Sequence, residues 1–454
     1  MRDQNVRNLA LHAACEAGDA ARAAALLAEG ASVSWKDGGG RTALMIATQK
    51  NDLALARTLV NAGSDVNERD VTLLSPYLCS GANGFHELMA LYLAHGADVK
   101  SVNRFGGTVL LPSSEKGYLK TVQVALRSGV PVNHANHLGW SALLEAVILG
   151  DGGYLYADIV SALVNAGADV DLQDRDGKSS LDHARALGQE HVVRILNREK
   201  GEPGGQAGAV AAARAKIFAD DYAGALADLD QILAQDAKDP AAWYYKGYCL
   251  QSAKRLDEAL AAYRQGLDRN PGQIEFYFYT ANCLRLMKKP DEALAEYAQA
   301  VAARPAYPIY RYHMSNYLRE LGRHVEAVAV MDTLLSYDPA RYDYAFHKAN
   351  SLRSLGQHEA AIVAIEIAIR SDATNPLYLL HKCQSLALLK RFDEALCVIE
   401  AAVRLAPEGA DCLNERAAVL IALGRKAEAR ASIEKVLGKD PRNARARALQ
   451  ASLA

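Results

Sequence analysis

The sequence has no apolar run approaching 18 residues, and its opening stretch, MRDQNVRNLALHAACEAGD, has no apolar core of the signal-peptide kind. Neither a transmembrane helix nor a secretion leader is expected. Charge of either sign is not in excess. The 51 Lys and Arg set against 53 Asp and Glu leave a net charge of −2, which gives no global attraction to nucleic acid or to an anionic membrane. Cysteine is sparse: seven residues, odd in number and scattered, with no Cys-x-x-Cys. That argues against a disulfide framework and fits buried thiols in a reducing, cytoplasmic compartment.

Catalytic signatures are missing too. There is no Gly-x-x-x-x-Gly-Lys-Ser/Thr, no Gly-x-Gly-x-x-Gly after a strand, no Gly-x-Ser-x-Gly and no His-Glu-x-x-His. His86-Glu87 lacks the second histidine, and the pair His134 and His137 has no evident third ligand, so polar turn residues are the preferred reading. The carboxylates of DVDLQDRDG at 169–177 miss the calcium-loop offsets and read as a solvated turn. No catalytic residue, metal or cofactor is expected, and the chain reads as non-enzymatic.

What is present is repetition. The 454 residues, half of them apolar and 23% charged, are globular in balance and too many for one ordinary domain. Gly30, Gly63, Gly96 and Gly129 recur every 33 residues; so do Gly18, Asn51, Gly84, Gly117 and Gly150, and a third column holds Thr42, Ser75, Thr108 and Ser141. Glycine after an apolar run ends a helix in the left-handed conformation. A Thr or Ser hydroxyl opens one by capping free N–H groups. Units this small cannot bury their own apolar faces and must stack.

With "RTALMIA", "LALHAA", "SSLDHA" and the turn "AGADVD", this half resembles ankyrin repeats, six of them over about residues 5–197. Repeat three (Ser75-Pro76-Tyr77, Cys79) and repeat four depart from the family pattern. Pro112 falls in the expected first helix of repeat four and should bend or shorten it. Repeat five carries five extra residues around 150–156. They form either a ligand-touching loop with Tyr154 and Tyr156 exposed, or an extended connection between helices.

The Gly-, Pro- and charge-rich stretch 197–208 marks a boundary, with a linker expected at 198–208 and a second domain at 209–454. Beyond it the period is 34. Ala225, Ala259, Ala293, Ala327, Ala361, Ala395 and Ala429 recur without a gap, with Pro271, Pro305, Pro339, Pro407 and Pro441 on a second column. Helices cross closely where side chains are small, and proline turns the chain toward the next unit. Trp243, Gly247, Ala259, Tyr263 and Pro271 complete a pattern that resembles the tetratricopeptide repeat, in seven units followed by a short polar capping helix at 444–454. The fold class expected is all-α, two α-solenoids in tandem.

Polar residues repeat with the same period. In the third unit, Tyr277, Thr280, Ala281 and Leu284 are the expected core positions, while Phe278, Asn282 and Arg285 share a neighbouring face. Stacked, these give columns: Tyr248, Asn282, Asn316, Asn350 and Gln384; Gln251, Arg285, Arg319 and Arg353; Tyr244, Phe278, Tyr312 and Phe346; and, beside them, Tyr245, Tyr279, His313, His347 and His381. The resemblance implies that this face lines a concave groove. Asparagine amides could hold a peptide backbone from both sides, arginines could take carboxylates of acidic partner segments, and aromatics could supply contact area. Alternatively the columns are relics of duplication, or the amides bond an adjacent helix.

The reading is a non-catalytic protein–protein scaffold with protein or peptide partners. A regulatory or effector protein delivered into another cell is the alternative class, and an enzyme on a helical scaffold the third.

Overall fold

The computed structural model describes residues 2–37, 40–70, 72–197, 208–439 and 443–453. The chain divides into two compact units, Met1–Glu199 and Lys200–Ala454. Most of the expected linker, 198–207, lies outside the described residues; Gly208, expected to close it, opens the helix Gly208–Phe218. No strand forms among the described residues, only the isolated bridges Ala135–Ser141 and Gln173–Ser179 in two turns.

The first unit places helices in six pairs, from Arg2–Ala17 with Ala20–Ala28 to Ser180–Ala186 with Glu190–Leu196. Its hydroxyl column acts as caps. Thr42, Ser75, Ser141 and Ser179 each accept from the N–H three residues on, at 3.2–3.3 Å. The inner helices they open are sandwiched between neighbours, and all seven residues of Ala142–Ile148 are buried. Asn67 and Asn133 staple repeats together: each amide donates to a glycine carbonyl of the following repeat, Gly96 or Gly167, and each side-chain oxygen accepts from the next aspartate N–H, at 2.8 Å.

Repeat four keeps the fold while losing its cap. Its inner helix is Leu110–Glu115, one residue shorter than its neighbours' seven, with no side-chain cap, and the buried Thr108 hydroxyl has no partner. Pro112 shortens the helix as expected. It removes the N–H that the matching Ile46, Cys79 and Glu145 donate to the carbonyls of Thr42, Ser75 and Ser141, so the first bond of the helix is lost.

Repeat five corrects the exposed-tyrosine reading. Tyr154 and Tyr156 are buried, the latter completely. The Tyr156 hydroxyl donates to the Glu115 carbonyl at 2.7 Å, and the Tyr154 ring lies 5.1 Å from that of His191. The extra residues lengthen the second helix to twelve, Tyr154–Asn165, against nine in Leu53–Asn61. Gly150–Gly153 is buried, and Gln189 ties it down by donating from Nε2 to the carbonyls of Val147 and Gly150. The left-handed residue here is Gly152 (φ 72°), not Gly150, so the glycine column slips by two.

The second unit contains seven helix pairs, from Gly208–Phe218 with Tyr222–Gln235 to Ala410–Ala422 with Lys426–Lys439, and a last helix, Ala444–Ser452. The column alanines are 0–1% exposed, where paired helices touch. The second helices stop two residues before the prolines, for example at Arg269 with Asn270 as cap and Pro271 next. Pro441 lies outside the described residues. The expected core face of the third unit holds for Thr280, Ala281 and Leu284, but Tyr277 is only half-buried. Phe276 takes the core place because Gly266 of the preceding helix leaves room: a Cβ there would come within 2.4 Å of the Phe276 ring.

Each pair turns through one left-handed residue: Asp220, Lys254, Lys288, Gly322, Gly356, Lys390 and Gly424, with φ of 58–76°. Glycine adopts that conformation at little steric cost, whereas a β-branched residue is strained by about 1–2 kcal/mol. Gly322→Val is expected to lower stability by about that amount, read as a reduced urea midpoint with unchanged helicity before the transition.

The cysteines are free thiols; six are buried, and Cys397 is exposed, contrary to the all-buried expectation. Cys397 stands on the outward face of the helix Phe392–Leu405, where the packing alanines do not reach. Among the described residues no helix is long and apolar enough to cross a membrane.

Candidate protein-interaction groove

The aromatic column lies on the first helices of consecutive pairs. Tyr244 and Tyr248 belong to Pro240–Ser252, Phe278 to Glu275–Leu286, Tyr312 to Pro308–Glu320 and Phe346 to Tyr342–Ser354. All five are at most 6% exposed, so their rings are not a free contact surface. Tyr248 stacks on Tyr244 of its own helix, and the other four pack on the column beside them, one repeat ahead. Ring centroids are 4.7 Å apart for Tyr244–Tyr279, 4.8 Å for Phe278–His313, 5.6 Å for Tyr312–His347 and 5.3 Å for Phe346–His381. Every pair is separated by 35 residues. The two columns thus form one aromatic seam that fixes neighbouring repeats against each other.

Asn282, Asn316, Asn350 and Gln384, with Arg285, Arg319 and Arg353, are half-buried beside this seam. The oxygen of Asn282 is spent inside the protein. It accepts from the Tyr297 hydroxyl at 3.0 Å and from Arg285 Nη1 at 3.3 Å, and Asn316 accepts from Arg319 in the same way at 3.2 Å. An amide so engaged does not hold a peptide unit from both sides; it offers its N–H groups alone. The buried Nδ2 of Asn350 has no hydrogen-bond partner.

The arginines bridge repeats. Arg285 pairs with Glu320 at 2.7 Å, its guanidinium 4.6 Å from the centroid of the Tyr317 ring. Arg319 donates to His347 Nδ1 at 2.6 Å. Arg353 donates to Gln384, whose own amide donates to Glu415 at 3.4 Å; Glu415 also holds Arg445 of the last helix. A fixed charged partner one repeat on lowers what a bound carboxylate gains from an arginine, since it must compete for the same fork.

Sequence reasoning identified the columns but not Tyr297, Glu320, Glu415 and Arg445, which complete them. The 34-residue period gave no signal for Glu320, since the matching positions are Leu286 and Ser354.

In the first unit the histidine pair serves the turns. His134 Nε2 contacts the Gly106 carbonyl at 2.6 Å, and the His137 ring lies where a Gly106 side chain would otherwise stand. Asp174 accepts from the N–H groups of Asp176 and Lys178 and contacts His183 Nε2 at 2.7 Å, so its carboxylate caps a turn.

Comparison with known proteins follows the same division. A family model that describes three ankyrin repeats matches residues 1–70 and again 77–174. Tetratricopeptide repeat models match 210–274, 253–308, 284–344, 312–376, 346–410 and 386–453. The ankyrin repeat protein YahD of Escherichia coli (strain K12) is 38% identical over 184 residues, 40% of this chain and 92% of that protein. The ankyrin repeat and KH domain-containing protein mask-1 of Caenorhabditis elegans is 30% identical over 157 residues, 34% of this chain but only 6% of that protein. Among solved structures, an ankyrin repeat domain (ABAYE2397) from Acinetobacter baumannii AYE is 44% identical, covering 41% of this chain and 96% of its own, with a TM-score of 0.41. The chain belongs to the ankyrin-repeat proteins through its N-terminal part and carries a tetratricopeptide-repeat array across its C-terminal half.

Proposed function

We propose that this protein is a non-catalytic scaffold whose tetratricopeptide groove holds an extended peptide segment of a partner. Both repeat families are protein-interaction modules. The observation that carries the peptide reading is the asparagine row. Asn282 has its oxygen saturated from within, and Asn350 leaves a buried N–H donor without an acceptor. A buried donor left unmade costs about 1–3 kcal/mol, and a carbonyl on a bound chain would satisfy it. The row therefore suits a ligand edge rich in acceptors. The arginine column adds preference for acidic segments, and binding of such segments weakens as salt rises.

The test is capture from lysate on the full chain and on a variant with Asn282, Asn316 and Asn350 all changed to Ala. The variant should keep helicity and lose the partner, by about 1–3 kcal/mol for each lost bond. Equal retention of the partner by both would remove the groove from the reading. A variant that no longer folds would show instead that the amides serve the neighbouring helices.

A further inference from the structure

The contact between Arg319 and His347 fixes a protonation state. A guanidinium has no acceptor and stays charged, so across the 2.6 Å separation of Nη1 and His347 Nδ1 the arginine donates and the ring nitrogen accepts. The ring is then neutral, with its proton on Nε2, 3.3 Å from the Tyr312 hydroxyl. Adding a proton replaces the acceptor with a second N–H and sets two cations against each other.

We propose that His347 is a proton-operated release for Arg319, regulating the groove at this rung; the regulatory meaning rests on the groove reading above. The ring is held by Tyr312 and by Phe346, whose centroids are 5.6 and 6.0 Å away. Arginine, on its flexible stem and half-buried, is the partner that moves. It leaves the ring and turns toward the groove, which then presents two positive charges in place of one internally bonded pair.

Around the ring, charged groups of the neighbouring helices make pairs of their own. Arg319 and Tyr312 face it from Pro308–Glu320. On His324–Tyr337, Asp332 pairs with Lys348 at 2.5 Å. Arg353, on the same helix as His347, reaches Gln384, and on Pro376–Leu388 His381 stacks on Phe346. On His358–Ser371, Glu366 pairs with Lys382. At the neighbouring rungs Arg285 reaches a carboxylate and Arg353 an amide.

The experiment uses the full chain with ¹⁵N-labelled histidine and arginine, His347→Gln assigning the ring signals and Arg319→Lys the guanidinium signal. At about pH 8 His347 should be the Nε2–H tautomer. Between about pH 8 and pH 5, the window in which histidine titrates, the Arg319 Nε–H resonance should shift with the same midpoint as the ring. In Arg319→Gln, which removes the charge, the His347 midpoint should move to higher pH. Should that variant fail to fold, Arg319→Lys keeps a cation facing the ring, and its midpoint should remain close to wild type. An Nδ1–H tautomer, a pH-silent Arg319, or a midpoint indifferent to Arg319→Gln overturns the proposal. These readouts need no ligand, so they fail or succeed separately from the peptide reading.

Discussion

Gly150→Ala is expected to unfold the middle of the ankyrin unit. A Cβ at this position would lie 2.2 Å from the Ala146 carbonyl oxygen and 2.3 Å from the Tyr156 ring, both inside any tolerable contact. Neither can give way. The carbonyl belongs to a helix whose seven residues are all buried, and the ring is fully buried and anchored by its hydroxyl to Glu115. The loop cannot lift either, because Gln189 holds the carbonyls of Val147 and Gly150 at 2.9 and 2.8 Å. Overpacking a tight core costs about 1–3 kcal/mol, and here two rigid obstacles meet one methyl, so about 3 kcal/mol is expected. Amide hydrogen exchange followed by mass spectrometry localises the effect: protection should fall over 142–165 and persist beyond residue 208. Gly30→Ala separates space from backbone conformation, since nothing lies within 4 Å of that site and only its φ of +90° opposes the change. If Gly150→Ala were as mild as Gly30→Ala, the inserted segment would not be locked as described.

The repeats were legible in the sequence because their columns are steric and local. A hydroxyl three residues before the N–H that it caps, or an alanine where two helices touch, can stand in few other ways. The polar columns had the right positions but uncertain roles, because their meaning depends on single atoms of partners 15 to 35 residues away. Nothing in Asn-x-x-Arg reveals that the Asn282 oxygen also accepts from the Tyr297 hydroxyl. The aromatic column misled for a related reason: an aromatic on a helix face can meet a ligand or the next repeat, and the 35-residue offset to its stacking partner is visible only once repeats are docked. The inserted segment was located correctly, and of its two readings the one with exposed tyrosines fails, because Gln189 of the following repeat holds the segment down.

Glu145→Gln should stabilise the ankyrin unit at neutral pH, an unusual outcome for a buried side chain. Glu145 sits on the fully buried helix Ala142–Ile148; its Oε1 accepts from the Asn136 amide at 2.8 Å, and its buried Oε2 has no partner. Burial, followed by the nearby Glu115 carboxylate, pushes its carboxyl well above the ordinary range, and the Asn136 bond only partly opposes this. The folded chain therefore keeps a proton that the unfolded chain releases near pH 4.3, the ordinary value for glutamate. Stability falls as pH rises from there, by up to about 1.4 kcal/mol per pH unit for one proton, until the folded carboxyl itself ionises. Gln keeps the shape and the acceptor for Asn136 and has no proton to lose. The two proteins should be nearly equal at about pH 4, with the variant gaining steadily above it. Urea midpoints at stepped pH, read by exchange protection of 142–148, give the difference directly, and titrating groups that do not interact with Glu145 cancel in it. Glu145→Ala should move the other way at every pH, because it strands the Asn136 amide and leaves a cavity. Parallel pH curves for wild type and Glu145→Gln would show that Glu145 is ionised in the folded state and that its Oε2 is not the uncompensated buried oxygen described here.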